Sequence, residues 1–146
     1  MQHMAEIKKA DTDEKILSCL GVIQSLRPHI TEDNILDYVH TMQKENYHIL
    51  YIEDNGKPVA FSGYRFITHF FTGAGIYIDD LGTLADYRGK GYGGRLLDHI
   101  CNIAKEKNLH EIRLDSGHHR YDAHRLYLNK GYNIVSHHFK LAIKEL

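Results

Sequence analysis

The chain has 146 residues, 42% hydrophobic and 25% charged, with a formal net charge of -1, and we expect a single domain over residues 5–146. Its 18 Lys and Arg against 19 Asp and Glu leave no basic excess for nucleic-acid phosphates, so no nucleic-acid partner is expected. Two cysteines without a CxxC pair support neither a disulfide scaffold nor a cysteine zinc site. The sequence has no long apolar run, so we expect a cytoplasmic protein with no membrane partner.

The first third of the sequence predicts one strand and two helices. Glu6–Ala10 is a strand candidate, and the polar run Asp11–Asp13 suits the N-cap and first turn of a helix. Apolar residues at helical spacing then continue as one helix, which ends before Pro28 because a residue preceding proline avoids the helical region. Thr31 is the expected N-cap of the second helix.

The middle of the sequence predicts three strands. Two of them flank the turn Asp54–Lys57, where Asn-Gly supplies the positive φ angles of a tight hairpin. The third, Gly75–Leu84, is interrupted by Asp79, Asp80 and Gly82. Such an interruption indicates a bulge or a splayed strand end.

The last third predicts a helix over Gly91–Lys107, a strand over Glu111–Asp115 and a helix over Arg120–Lys130 with Gly131 as its C-terminal cap. A closing strand is expected over Tyr132–Ile143. The resulting order β α α β β β α β α β predicts an α/β protein built on a mixed sheet.

The turn LADYRGKGYGGR, residues 84–95, is dense in glycines and cations between a strand and a helix. Glycines let main-chain N–H groups approach a ligand, and a helix N-terminus adds partial positive charge. Arg88, Lys90 and Arg95 add full charges. The turn therefore predicts a phosphate or pyrophosphate site.

Three phosphate motifs compete for this turn. A Walker loop is excluded because no Gly-Lys is followed by Ser or Thr. The dinucleotide motif GxGxxG is present as Gly89, Gly91 and Gly94, but polar residues separate it from the preceding strand. The third motif is RxxGxG, which begins at Arg88 and includes Gly93.

With RxxGxG, the order strand, RGKGYGG turn, helix, strand and AHRLYLNKGY from Tyr77 to Tyr132 resembles the GNAT superfamily of N-acetyltransferases. The resemblance implies a single-domain mixed α/β fold with splayed central strands, and acetyl-coenzyme A (acetyl-CoA) as co-substrate. It implies that the turn wraps the coenzyme pyrophosphate and that a splayed strand pairs with the pantetheine arm. The implied contacts are Arg88, Gly89, Lys90, Gly91, Tyr92, Gly93 and Gly94 in the turn, and Leu81, Gly82 and Thr83 in the strand.

The family pattern AxxLYxxxGF, which starts here at Ala123, implies two roles on the last helix. Tyr127 becomes the proton donor to the departing thiolate, and the small Ala123 leaves room for the coenzyme beside the phenol. Asp79, nine residues before Arg88, stands where small-amine members carry a carboxylate proposed as general base. Proton loss through ordered water is an open alternative. On a regular strand Asp79 and Asp80 would point to opposite faces, so that only one would reach the acceptor.

The segment Asp115–Tyr132 further resembles the branch that includes aminoalkylphosphonate N-acetyltransferases, which implies a small polar primary amine as acceptor. Arg120 stands where many members have Asn and suits an acceptor anion. The expected acceptor pocket comprises His29, Tyr64, Arg65, Asp80, His118, Arg120 and His124. The adjacent histidine pairs do not predict a metal site, because neighbouring side chains on a strand diverge.

Alternatives from other classes stay open at this point. The chain could be a non-catalytic acyl-CoA sensor that retains the turn, or, on the GxGxxG reading, an NAD-binding oxidoreductase. A homodimer also stays open, since edge-strand dimers occur in the superfamily that the chain resembles. The acceptor's identity is not decided by sequence.

Overall fold

The structure, a computed structural model, describes residues 5–146 and divides at Leu114 into two compact units, which are described separately. The strands of the first unit are β1 (Glu6–Lys9), β2 (Tyr47–Asp54), β3 (Lys57–His69), β4 (Gly73–Thr83) and β5 (Glu111–Leu114). Its helices are α1 (Asp13–Ser18), α2 (Leu20–Leu26), α3 (Ile35–Gln43) and α4 (Tyr92–Glu106), with a short 3-10 turn at Ala85–Tyr87. The second unit contains α5 (Tyr121–Asn129).

The five strands form one mixed sheet in the order β1-β2-β3-β4-β5. All neighbours are antiparallel except β4 and β5, which run parallel. The pairing of β5 covers only Gly75–Ile78 of β4, so in the described chain the rest of β4 extends beyond its last neighbour. The predicted mixed α/β fold with a splayed central strand is confirmed. It differs from the doubly wound parallel sheet that a dinucleotide motif requires.

Helices cover both faces of the sheet. On one face, α1 to α3 pack their apolar residues against Ile49, Tyr51 and Phe61. On the other face, α4 contacts the central strands and buries Leu96 and Ile100. Each large aliphatic side chain buried in this way contributes about 1.5–3 kcal/mol to stability. Among the helices of residues 5–146, none is both long and apolar enough to cross a membrane.

A β-bulge interrupts β4 where the sequence predicted an irregularity. Across β3, Gly63 pairs with Asp80 while Tyr64 pairs with Ile78, so Asp79 is the extra residue. The side chains of Asp79 and Asp80 both contact residues of one sheet face, whereas the sequence predicted opposite faces. The prediction was wrong because a bulge breaks the two-residue alternation of a regular strand.

Gly63 gives Tyr47 the space it needs beside this bulge. A Cβ atom at Gly63 would lie 1.7 Å from the Tyr47 hydroxyl and 2.3 Å from its Cζ. Tyr47 is buried and donates a hydrogen bond to Asp80. A side chain at position 63 would therefore force the tyrosine ring out of the core.

We expect Gly63→Ala to lower the free energy of unfolding by about 2–4 kcal/mol, from overpacking and a lost buried hydrogen bond. Chemical denaturation measures the change. The matched control is Gly21→Ala in α2, whose added Cβ would meet no described atom within 4 Å and which should leave stability equal or slightly higher. Equal stabilities for both variants would contradict this account of Gly63.

Local capping in the first unit follows the prediction in part. Thr12 caps α1 by accepting the Lys15 N–H at 3.2 Å, as expected. The predicted single first helix is instead divided at Cys19, where the Ser18 hydroxyl donates to the Lys15 carbonyl at 2.6 Å and competes with the helical bonding. The predicted cap at Thr31 is also wrong: α3 begins at Ile35, after Asn34.

The second unit confirms one predicted element and corrects another. Helix α5 forms as expected, and Gly131 follows it with a φ of 92°. The predicted strand Tyr132–Ile143 is wrong, since residues 132–146 contain no strand. Phe139, Leu141 and Ile143 are 85–91% exposed. Their alternation suits a strand, but a strand also needs a neighbour for its backbone hydrogen bonds.

Candidate functional site

The glycine-rich turn leads into an exposed helix start, a feature that suits an anion. Gly89 and Gly91 have φ angles of 77° and 82°, a region that residues with a Cβ rarely adopt. Gly91 is the N-cap of α4, and it provides no side-chain capping hydrogen bond. The first N–H groups of this helix are therefore donors for a ligand at the positive end of the helix dipole. Arg88 and Lys90 lie exposed beside them.

One aromatic side chain anchors the turn to the rest of the first unit, and a second contacts a cation within the turn. The Tyr92 hydroxyl donates to Asp54 in the β2–β3 hairpin at 2.7 Å, and this hydrogen bond raises the pKa of Tyr92. Lys90 Nζ lies 5.0 Å from the centre of the Tyr87 ring. The Tyr92 side chain thus holds the turn in place, which leaves its main chain for a ligand. Gly93 and Gly94 occupy the first turn of α4.

The open half of β4 lies just before this turn in the chain. Leu81, Gly82 and Thr83 pair with β3 on one side. On the other side, β5 ends at the level of Ile78, so no described strand pairs with them there. Main-chain groups on that side are available to an extended ligand, as an exposed sheet edge would be.

Asp79 is held by a two-pronged ion pair. Arg65 on β3 donates from Nε to Asp79 Oδ1 at 2.9 Å and from Nη2 to Oδ2 at 2.7 Å. Burial raises the pKa of Asp79 above its usual value, and the guanidinium opposes that rise. The same hydrogen bonds raise the pKa of Arg65. A carboxylate with a raised pKa is closer to the range that suits a general base.

Asp80 is bound on both carboxylate oxygens. The Tyr47 hydroxyl donates to Oδ2 at 2.6 Å, and Arg27 Nε donates to Oδ1 at 2.9 Å. Arg27 Nη2 also donates to the main-chain carbonyl of Asp79 at 3.2 Å, which ties the end of α2 to the open half of β4. Burial, together with Asp80, raises the pKa of Tyr47 well above its usual value.

Arg27 and Tyr47 are site neighbours that sequence analysis missed. Their partner Asp80 lies 53 and 33 residues further along the chain, so no local pattern joins them. The available signal was Gly63, because a glycine inside a strand often marks a bulge or a close approach.

Two predicted pocket residues in the first unit lie apart from this network. Tyr64 faces the opposite side of the sheet from Arg65 and stacks on His48 with ring centres 5.4 Å apart. His29 is exposed in the loop after α2, where its ring is 6.2 Å from that of Tyr38. Both assignments remain predictions.

In the second unit, Ala123 and Tyr127 share the half-buried side of α5, one helical turn apart. Burial raises the pKa of Tyr127, and the Arg120 charge opposes that rise. The phenol therefore keeps its proton at neutral pH, as a proton donor must.

The predicted acceptor residues of this unit lie in and beside the start of α5. Arg120 immediately precedes the helix, and the ring of His118 contacts that of His119 at 5.7 Å. His124 Nε2 is 2.9 Å from the Gly117 carbonyl oxygen. Across residues 5–146, no group of three or more His, Cys, Asp or Glu side chains is arranged to hold a metal ion.

The chain is similar to known proteins in sequence and in fold. The sequence profile of the acetyltransferase (GNAT) family matches residues 10–132. An uncharacterized N-acetyltransferase of Bacillus subtilis, YhdJ, is 31% identical over 139 residues, covering 94% of this chain and 98% of that protein. A thialysine N-epsilon-acetyltransferase of Sus scrofa is 32% identical over 56 residues, covering 38% of this chain and 33% of that protein.

Among solved structures, the acetyltransferase AAC(6')-Iy in complex with a CoA bisubstrate analog superposes with a TM-score of 0.83 at 12% identity. The match covers 97% of this chain and 99% of that one. At this identity the match concerns the fold.

Proposed function

Because the chain belongs to the acetyltransferase (GNAT) family, we propose that it transfers the acetyl group of acetyl-CoA to the primary amine of a small polar metabolite. The amine attacks the thioester directly in a ternary complex, without a covalent enzyme intermediate. The observation that carries this proposal is the uncapped start of α4 after two positive-φ glycines, next in the chain to the open half of β4. This arrangement matches a ligand with a pyrophosphate and an extended amide-bearing arm.

The first unit supplies the groups that would bind the donor. Main-chain N–H groups of Gly89 to Gly94 would hold the pyrophosphate, with Arg88 and Lys90 adding charge. Leu81 to Thr83 would pair with the amides of the pantetheine arm, since on the side away from β3 no described strand pairs with this part of β4. Ala123, on α5, would leave room for the coenzyme.

The chemistry assigns one proton to each of two residues. The neutral amine nitrogen forms a bond to the acetyl carbon, the carbon–sulfur bond breaks, and the leaving thiolate takes a proton from the Tyr127 hydroxyl. As the amide forms, the nitrogen loses its second proton, which returns directly or through water to the Tyr127 phenolate. The proton that the acceptor ammonium must lose goes to Asp79, either directly or through water. No further co-reactant is needed for the transfer to balance.

A small polar amine is favoured as acceptor by polar and charged side chains in each of the two units. Asp79 and Asp80 attract an ammonium, while Arg120 and His118 suit an acidic group such as a carboxylate or phosphonate. The relative from Sus scrofa is named for acetylating the ε-amine of thialysine, a small charged molecule. An aminoalkylphosphonate is a second acceptor of the same class.

An acceptor screen tests the function. Release of free coenzyme A thiol is followed with aminophosphonates, polyamines, amino acids including thialysine, and peptides with a free N-terminus. We expect turnover above the amine-free rate with one or more of the small amines. Turnover of peptides alone would contradict the small-metabolite proposal. Acetyl-CoA binding without thiol release across the panel would indicate a non-catalytic sensor instead.

We also propose that the protein works in the cytoplasm, where acetyl-CoA is available. Within residues 5–146, Cys19 and Cys101 are both free thiols, which is consistent with a reducing compartment. A homodimer is a further proposal, supported by β5 standing at the edge of the sheet in the described chain. Light scattering coupled to size exclusion measures the oligomeric state.

A further inference from the structure

Arg65 is oriented by three neighbours. Its Nε and Nη2 grip the two oxygens of Asp79, and its Nη1 donates to Glu45 at 3.0 Å. Its guanidinium carbon lies 5.4 Å from the centre of the Tyr47 ring, within cation–π range. The side chains of Arg65 and Asp79 are only 19% and 20% exposed. The ion pair is therefore largely shielded from solvent, and its geometry is specific.

The two carboxylates of the bulge differ in their remaining capacity. Asp80 is 12% exposed and is clamped from two sides, by Tyr47 and by Arg27. Asp79 receives both of its side-chain hydrogen bonds from one fork, on one side of the carboxylate. A carboxylate has about four acceptor positions, so Asp79 keeps others directed away from Arg65. Asp79 is also the more exposed of the two, at 20% against 12%, and its contacts lie on one side, so it is the carboxylate better placed to accept from a further proton donor.

The charges that face Asp79 come from several elements. Arg65 lies on β3, Arg27 follows α2, and Asp80 adjoins Asp79 on β4. Glu45 accepts from Nη1 of the Arg65 guanidinium, and the Tyr47 ring lies within cation–π range of it. Arg27 reaches only the main-chain carbonyl of Asp79, so Arg65 is the cation in contact with the carboxylate itself. Without such a partner, burial would favour the protonated acid, which cannot serve as a base.

We propose that Arg65 is a positioning residue for acetyl transfer: it keeps Asp79 ionised and directed, so that the carboxylate can accept the proton of the acceptor ammonium. The inference rests on the proposed function and deepens it, because it assigns the pH range of activity to one ion pair. Arg65 itself exchanges no proton and forms no bond to the substrate.

The test is a titration of the Asp79 carboxyl by carbon-13 NMR in the wild-type chain and in Arg65→Gln, with Asp79→Asn used to assign the signal. Removal of a contacting opposite charge is expected to raise the titration midpoint by about 1–3 pH units. Arg65→Lys keeps the charge but loses the fork, so a smaller rise is expected. The acidic limb of kcat/KM should move upward with the midpoint in each variant.

The pH profile of kcat/KM is measured with two acceptors whose amines have different pKa values. An acidic limb set by Asp79 stays at the same pH with both acceptors, whereas a limb set by the acceptor amine moves with its pKa. Lys15→Gln is the charge-matched control, since it removes a cation from the exposed ion pair with Asp11 and should move neither quantity. Circular dichroism checks that each variant folds. If Arg65→Gln does not fold, the NMR titration and the kcat/KM profile of Arg65→Lys provide the test.

An unshifted Asp79 titration in the Arg65 variants would overturn the proposal. A shifted titration with an unmoved kinetic limb would also overturn it, because the ionisation of Asp79 would then not limit transfer. The NMR titration needs no catalytic activity. Failure of the proposed function, seen as no turnover in the acceptor screen, is therefore distinguishable from failure of the Arg65 role.

Discussion

Replacing Tyr127 with phenylalanine should lower kcat by about 10²–10⁴-fold, the range typical of a lost general acid, while the Kd for acetyl-CoA stays within about twofold. The substitution removes only the hydroxyl, which matters most as the thiolate departs. The aromatic ring remains, including its contact with Tyr132 at 6.0 Å. Thiol release measures kcat, and calorimetry measures the affinity for acetyl-CoA.

The matched control for this substitution is Tyr121→Phe. Tyr121 lies on the same helix but is 65% exposed, so loss of its hydroxyl should leave kcat unchanged. An unchanged kcat for Tyr127→Phe would remove Tyr127 from the mechanism, and the second unit would then contribute binding surface alone.

The wild-type pH profile gives an independent check of Tyr127 as the acid. Burial raises the pKa of Tyr127, and a group with a raised pKa keeps its proton to higher pH. At alkaline pH, kcat should decline as Tyr127 loses this proton. The midpoint of that decline should therefore lie above the ordinary tyrosine pKa of about 10. A decline that sets in near neutral pH and is also present in Tyr127→Phe would point to another group.

Introducing aspartate at Gly91 should weaken acetyl-CoA binding by about 100-fold or more, through strain in the left-handed region and repulsion of the pyrophosphate. Gly91 has a φ of 82° and directly precedes α4, where the uncapped N–H groups begin. The carboxylate of the introduced aspartate would compete with the ligand for these N–H donors. Calorimetric titration with acetyl-CoA gives the change in Kd.

Gly91→Asn separates the two causes, because asparagine has nearly the shape of aspartate and tolerates a positive φ, but carries no charge. We expect Gly91→Asn to bind at least about tenfold more tightly than Gly91→Asp, since each charge-assisted contact is worth about 1.5–3 kcal/mol. Native affinity in both variants would reject the turn as the coenzyme site. A preference for NAD over acetyl-CoA in the wild-type chain would revive the dinucleotide alternative.

Elements with a local chemical signature were predictable from sequence. Thr12 caps α1 through its own side chain, and Asn55 and Gly56 adopt the positive φ angles expected of the β2–β3 turn. Gly131 behaves likewise after α5. In each case the backbone preference belongs to the residue itself, whatever the distant packing.

Elements that depend on distant partners were predicted less well. The alternation of Phe139, Leu141 and Ile143 indicated a strand, but residues 132–146 form none. The helix break at Cys19 depends on a hydrogen bond from Ser18 that spacing alone does not reveal. Apolar periodicity states which side of an element prefers burial, and it does not supply the neighbour that buries it.

By itself, the sequence determined the glycine turn, the order of most elements and the family, because positive φ angles, helix starts and motif spacing are properties of neighbouring residues. Only the tertiary structure decided that Asp79 and Asp80 share one face and are held by Arg65, Tyr47 and Arg27. These partners lie 14 to 53 residues away along the chain. A single extra residue in β4 reverses the direction of a side chain, and the pairing of strands, which local sequence does not encode, decides where that residue is placed.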